Sequence, residues 1–222
     1  MAQLLVILEF QKVPFIQVPN GHLEVLTRAG ERNYILTTSK YATLGLDLYL
    51  LNSTEEKKGE LRGLKLTYIG DGNNMAHSLL YGCARMGMTV AIGHPRGYAP
   101  DADVVTRARE IASESGGGVL ITEDPKEAAS QADVMYTDVW VSMGQEEETK
   151  KRRQHFDGFI IDNQLMGLAR PNAIFMHCLP AHRGEEVGAE VIDGPQSVVF
   201  DQAENRLHAQ KAIMIKLMGR RH

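Results

Sequence analysis

The sequence predicts an α/β protein: a doubly wound, Rossmann-like parallel sheet with helices on both faces, preceded by a short N-terminal segment of β-rich texture. Three observations carry this reading. From Leu64 onward, short apolar runs alternate with longer amphipathic stretches. Glycine, asparagine, aspartate and proline stand at the junctions, where helix caps and turns need them. Strands alternating with helices of this length imply a parallel sheet covered on both faces.

The elements follow in order. Residues 64–69 alternate around Leu64, Leu66 and Ile69 and read as a strand, closed by the turn Gly70, Asp71, Gly72. Asn73 or Asn74 then caps a helix to about Met86, with Gly87 as its stop. Residues 89–92 form the next strand. Asp101 caps a helix whose Val104, Val105, Ala108, Ile111 and Ala112 recur at helical spacing, and the run Gly116, Gly117, Gly118 ends it. Residues 119–121 are a third strand. Asp124 and Pro125 open a short helix to Ala132, with proline at its first position. A strand over 134–137, a charged helix over 146–154, strands over 173–176 and 197–200, and a last helix over about 204–217 complete the pattern.

Residues 1–50 differ. Short strand-like pieces at 4–10, 15–18, 23–27 and 34–38 are separated by polar turns such as Pro19, Asn20, Gly21, a pattern that suits a β-meander. The segment is too short for an independent domain of the size that follows.

Composition bounds the function. A chain of 222 residues with 43% hydrophobic content can bury one substantial core. The formal net charge of -4, with both signs spread along the chain, leaves no electrostatic footprint for nucleic acid; Arg220 and Arg221 are too short a basic end. No apolar run approaches the ~20 residues that span a bilayer. The apolar run at 4–8 lacks the flanks of a signal peptide. Two cysteines, Cys83 and Cys178, cannot build a disulfide framework and read as reduced thiols. A cytoplasmic protein with neither membrane nor nucleic-acid partners is expected.

Ligands of such sheets sit at the carboxyl ends of the strands, and four polar stretches are expected there. The first, around Asp71, Gly72, Asn73 and Asn74, only resembles a dinucleotide fingerprint: Met75 stands where the third glycine belongs, and no acidic residue follows the second strand. A helix N-terminus with two amides suits a small carboxylate, although one asparagine is needed simply to cap the helix. In the second, Asp138 can hold an ammonium group, and Ser142 with loop N–H groups a carboxylate; a turn cap is the plainer role for Asp138. The charged residues around Lys150, Lys151 and Arg152 read as a solvated helix face. In the third, Cys178 lies between His177 and Pro180, where inert packing, a Cys–His nucleophile and a ligand contact stay open. Zinc on His177, Cys178 and His182 is disfavoured, because a second ligand pair is missing. In the fourth, Arg206 is a natural anion fork or a surface partner of Glu204 or Asp201. Neither a cofactor nor a metal is expected.

Taken in order, Gly-Asp-Gly-Asn-Asn, Asp-Val-Trp-x-Ser-Met-Gly-Gln, Met-His-Cys-Leu-Pro and Ala-Glu-Asn-Arg followed by a His-Ala-Gln helix closely resemble the ornithine carbamoyltransferases. The resemblance runs from about Glu56 to the C-terminus. It implies a division into residues 1–55, unrecognised, and 56–222, an ornithine-binding domain. It also implies transfer of a carbamoyl group from carbamoyl phosphate to the δ-amine of ornithine, giving citrulline and phosphate, in a family that forms trimers. Carried over residue by residue, Asn74, Asp138, Ser142 and Met143 would bind ornithine. Cys178 and the Leu179 backbone would lie at the reacting amine, and Arg206 would reach carbamoyl phosphate.

The sequence also departs from the family. The Ser-x-Arg-Thr-Arg phosphate loop of the family's first domain does not occur in it. The family's His-Pro-x-Gln position falls on Thr43, Leu44, Gly45 and Leu46. The 222 residues by themselves are therefore expected not to turn over. A non-catalytic ornithine binder or regulatory fragment, and a carbamoyltransferase for another amine, remain as alternatives. The apolar Ala212, Ile213, Ile215 and Leu217 of the terminal helix call for a partner, either residues 1–50 or a second chain.

Overall fold

The computed structural model describes residues 15–17, 23–26, 32–35, 41–140 and 149–218, with side chains described for 49–140 and 152–211. Three short strands open the chain: β1 (Phe15–Gln17), β2 (Leu23–Leu26) and β3 (Arg32–Ile35). They form an antiparallel meander in the order β1-β2-β3, as the turn spacing predicts. The strand expected at 4–10 lies outside the described residues.

An 18-residue helix not anticipated from the sequence, α1 (Tyr41–Lys58), follows and runs through the proposed division at Glu56. It packs against the terminal helix α8 (Val199–Met218). Polar ties fix the contact: Asn205 Nδ2 donates to Ser53 Oγ at 2.9 Å and to Glu56 Oε2 at 2.8 Å, and Lys57 Nζ meets Asp201 at 3.0 Å. The first turns of α8 thus find their partner in α1. Of the four apolar residues that called for one, the side chains lie outside the described residues.

The main sheet has five parallel strands in the order β6-β5-β4-β7-β8. They are β4 (Lys65–Ile69), β5 (Thr89–Gly93), β6 (Gly118–Thr122), β7 (Val134–Thr137) and β8 (Ile174–His177). Between them lie α2 (Asn74–Arg85), α3 (Ala102–Ser115), α4 (Pro125–Ala129), α5 (Thr149–His155) and α6 (Asn163–Met166), and α7 (Ala189–Ile192) precedes α8. Successive strand residues point to opposite faces, and both faces are buried. Leu66, Tyr68, Val90, Val134 and Tyr136 face one core. Ile69, Ala91, Met135 and Phe175 face the other, with Phe156 and Ile161 over them. Strands buried on both sides are the doubly wound architecture predicted.

The caps explain the boundaries. Asn73 accepts from Met75 N, and Asp101 from Asp103 N and Val104 N; Asp124 accepts from Lys126 N ahead of Pro125 at the first turn. α3 stops at Gly116, whose φ of 84° is left-handed. One strand is corrected. Residues 197–200 are not a sheet strand: Ser197 makes only an isolated bridge to Phe175, and α8 already begins at Val199. Phe200 is 77% exposed, whereas Val198, Val199, Gln202, Asn205 and Ala209 are buried at helical spacing. Among the described residues no helix is long and apolar enough to cross a membrane.

Candidate active site

Strand order reverses between β4 and β7: the chain fills β4, β5 and β6 to one side, then starts again at β7 on the other. In open α/β sheets the crevice at such a switch point is where ligands bind. The residues following β4, β7 and β8 meet there.

After β4, Gly72 passes so close to the backbone of residues 98–100 that a side chain would collide with it, and its N–H donates to Tyr98 O at 2.8 Å. The two asparagines divide their work. Asn73 is the cap, so Asn74, the first residue of α2, is exposed at the helix N-terminus and released from capping. Asp71 pairs with Arg152 of α5 at 2.6 Å, with both side chains largely buried. Arg152 also donates to Trp140 O at 3.0 Å and lies over the Tyr98 ring at 5.3 Å. It is thus a clamp between two of the site segments and not part of a solvated face. Charge spacing along one helix could not reveal a partner 81 residues away.

After β7, Asp138 is half-buried. Its Oδ1 accepts from Val139 N at 2.8 Å and from Cys178 Sγ at 2.9 Å. It therefore caps its own turn and also faces the thiol of the third segment. Trp140 is buried, its ring 5.6 Å from that of Phe156. Ser142 and Met143 lie outside the described residues.

After β8, the backbone turns through Cys178 and Leu179, whose φ of 55° is left-handed, to a cis Leu179–Pro180 bond. His177 Nδ1 accepts from Leu179 N at 2.8 Å, and His177 N donates to Gln202 Oε1 of α8 at 2.9 Å. The His177 ring thus serves the backbone and not the thiol, which removes the Cys–His nucleophile. Burial first, and then the Asp138 carboxylate, push the Cys178 thiol well above the ordinary thiol range. Cys178 is a neutral thiol, not a thiolate nucleophile.

A cleft beside Cys178 is lined by Tyr49, His177, Leu179, Gln202 and Arg206. Arg206 lies two turns inside α8, not on a loop. Both suggested acidic partners are engaged elsewhere, Asp201 with Lys57 and Glu204 with His208, and no ion pair of Arg206 occurs among the described residues. Tyr49, Gln202 and Tyr136 were not foreseen. Among the described residues, the Tyr49 and Tyr136 hydroxyls and Gln202 Nε2 are buried and make no hydrogen bond of good geometry. Burial also raises the Tyr49 phenol well above its usual range. The signal for Gln202 was its spacing with Val198 and Asn205 on a buried face, which is polar and so escapes a search for apolar periodicity. Away from the cleft, ligand atoms of His182, Glu185 and Glu186 lie within 4.8 Å of one another, but Glu185 is already held by Arg153.

A family model described as Aspartate/ornithine carbamoyltransferase, Asp/Orn binding domain, matches residues 62–217. An ornithine carbamoyltransferase of Symbiobacterium thermophilum is 60% identical over 164 residues, covering 74% of this chain and 53% of that protein. One from Oceanobacillus iheyensis is 55% identical over 216 residues, covering 91% and 67%. Among solved structures, ornithine carbamoyltransferase from Pyrococcus furiosus superposes with a TM-score of 0.74 at 51% identity, covering 77% of this chain and 55% of that one. The chain thus spans about half the length of relatives such as the Symbiobacterium protein. With the switch-point crevice and its motifs in place, the chain belongs to the aspartate/ornithine carbamoyltransferase family and carries its Asp/Orn binding domain.

Proposed function

We propose that the chain supplies the amino-acid side of an ornithine carbamoyltransferase. The δ-amine of ornithine attacks the carbonyl of carbamoyl phosphate, the C–O bond to phosphate breaks, the nitrogen's proton passes to the departing phosphate, and citrulline and phosphate are formed. The observation that carries this is the contact of 2.9 Å between Asp138 and the neutral thiol of Cys178 in the switch-point crevice. A carboxylate there can hold an ammonium group. The neutral thiol offers sulfur lone pairs to an amine without competing with it as a nucleophile. The reacting amine must be deprotonated, since a free alkylamine has a pKa near ~10.4, and a partly dry, acceptor-lined crevice favours its neutral form.

Asn74, at the N-terminus of α2, suits the α-carboxylate together with Ser142 and Met143, and Asp138 the α-ammonium. Cys178 and the Leu179 backbone belong at the reacting nitrogen. Arg206, with no ion pair among the described residues and lining the same cleft, suits the phosphate of the donor. A cytoplasmic homo-oligomer, a trimer as in the resemblance, completes the reading.

The sequence itself favours one rival: without the Ser-x-Arg-Thr-Arg and His-Pro-x-Gln motifs, the 222 residues would bind ornithine without turning it over. Calorimetric titration with ornithine and with putrescine, in the presence and absence of carbamoyl phosphate, tests both. Ornithine binding strengthened by carbamoyl phosphate supports the transferase, because ligands of a working site reinforce each other. Ornithine binding indifferent to it, with no citrulline formed, supports the binder. Preference for putrescine overturns the ornithine reading.

A further inference from the structure

The third site segment stands on a buried carboxylate that the chemistry above does not use. Glu186 is fully buried, as is His177. A backbone N–H can only donate, so the 2.8 Å contact from Leu179 N requires His177 Nδ1 to be an unprotonated acceptor. The ring is therefore neutral and carries its proton on Nε2. That Nε2 lies 3.4 Å from Glu186 Oε1, a close electrostatic contact, and makes no hydrogen bond among the described residues. The same Oε1 accepts from His182 N at 2.6 Å. Glu186 thus faces both ends of the segment that runs from His177 through Cys178, Leu179 and Pro180 to His182. Its own backbone is anchored, its carbonyl accepting from Ile161 N at 3.0 Å.

We infer that Glu186 is the positioning residue of the Cys178–Leu179 loop: an acceptor-only side chain that fixes the Nε2–H form of His177, leaving Nδ1 to hold the Leu179 amide. Leu179 sits at positive φ, a conformation that costs a non-glycine residue on the order of 1–3 kcal/mol and persists only where its surroundings over-determine it. The His177 bond to its N–H is such a determinant, and it exists in only one of the two neutral imidazole forms. An isolated neutral histidine prefers that form only modestly; a buried carboxylate opposite Nε2 strengthens the choice. Glu186 touches neither substrate nor thiol. It acts through His177 and the loop backbone. The inference rests on the proposed function only in giving the loop a ligand.

The test uses the full chain labelled with 15N-histidine, wild type, Glu186→Ala and Glu186→Gln. Two-bond nitrogen–carbon-proton spectra at pH 8 report the form of each imidazole, and calorimetry reports ornithine affinity. The wild type is expected to show His177 as Nε2–H. Glu186→Ala is expected to show a mixture of forms and ornithine binding weaker by about tenfold, the size of one lost hydrogen bond to a charged group. Glu186→Gln should recover both. The obligate donor His182 N orients its amide oxygen into the Oε1 place, where it still faces Nε2. Nδ1–H in the wild type overturns the inference even if the alanine variant fails to fold. It is equally overturned if Glu186→Ala keeps wild-type imidazole form or wild-type affinity, or if Glu186→Gln is as impaired as Glu186→Ala. Absence of ornithine binding by the wild type would count against the proposed function, while the imidazole spectra would still decide the role of Glu186.

Discussion

Replacing Asp71 by asparagine tests whether Arg152 clamps the site segments together. The two side chains meet at 2.6 Å with exposures of only 14% and 12%, so the pair is mostly desolvated. Removing one partner of a buried pair leaves an uncompensated charge and costs roughly 3–5 kcal/mol. Two features here lower that figure. Arg152 keeps its bond to Trp140 O and its place over the Tyr98 ring, and asparagine retains an acceptor oxygen. An expected loss of about 2–3 kcal/mol follows, which for a chain of this size corresponds to a melting temperature lower by roughly 4–12 °C. Urea unfolding of wild type, Asp71→Asn, Arg152→Met and the double variant closes a double-mutant cycle, and the coupling should be about 1–3 kcal/mol. Ornithine affinity should fall in both single variants, because the segment running from Asp138 to Trp140 loses its tie to the turn after β4. A coupling within about 0.5 kcal/mol of zero, with unchanged affinity, would return Arg152 to the role of a solvated helix residue.

Three further outcomes follow from the geometry of the site. Cys178 should alkylate only slowly at pH 8.5, because burial and Asp138 hold its thiol protonated, and Asp138→Asn should raise the alkylation rate at pH 9 while leaving the burial contribution in place. The linkage has a definite sign. A thiol whose folded-state pKa is raised contributes stability fully below its unfolded value of about 8.5 and loses it as pH rises toward the folded value. Wild-type stability should therefore decline above pH 8.5, and the decline should end at lower pH in Asp138→Asn; a decline over the same pH span in both, by urea unfolding, would refute this. Gly72→Ala places a Cβ against the backbone of residues 98–100 and should cost about 2 kcal/mol or more by overpacking; unfolding indistinguishable from wild type would show that the two backbones can separate.

The sheet was legible because its strands are short apolar runs framed by chemistry with a single meaning: Asp101, Asp124 with Pro125, and Gly116 each act as cap or stop where expected. Misreadings arose where local pattern and tertiary burial disagree. Val198, Val199 and Phe200 form an apolar run that fits strand or helix equally, and a helix that buries Gln202 and Asn205 while exposing Phe200 inverts the usual rule. No element is expected from the sequence over 41–55, where Leu44, Leu46, Leu48 and Leu50 alternate as in a strand; leucine's helix propensity and packing against α2 and α8 make it α1. In the candidate site, the post-strand motifs marked Asn74, Asp138, Cys178 and Arg206. Gln202 and Arg152 meet partners 25 and 81 residues away, which no spacing rule reaches.

The charge state of the crevice bears on how far this half of the family's architecture could act alone. His177 is neutral because Nδ1 must accept from Leu179 N, and Cys178 is neutral because burial and Asp138 keep it so. Arg152 is committed to Asp71. Among the described residues that line the cleft, Arg206 is then the one cation. A phosphate group carrying nearly two negative charges, next to an oxyanion forming at the carbonyl, needs several preorganised donors to be stabilised over water. One guanidinium on an exposed helix face, screened by solvent, offers a fraction of that. An amino acid, by contrast, needs one carboxylate acceptor, one helix N-terminus and a dry place for its amine, and these are the features that the described residues bring together. On the proposed function, the asymmetry of charge matches the asymmetry of the motifs: the described residues suit the nucleophile, and among them Arg206 alone suits the donor.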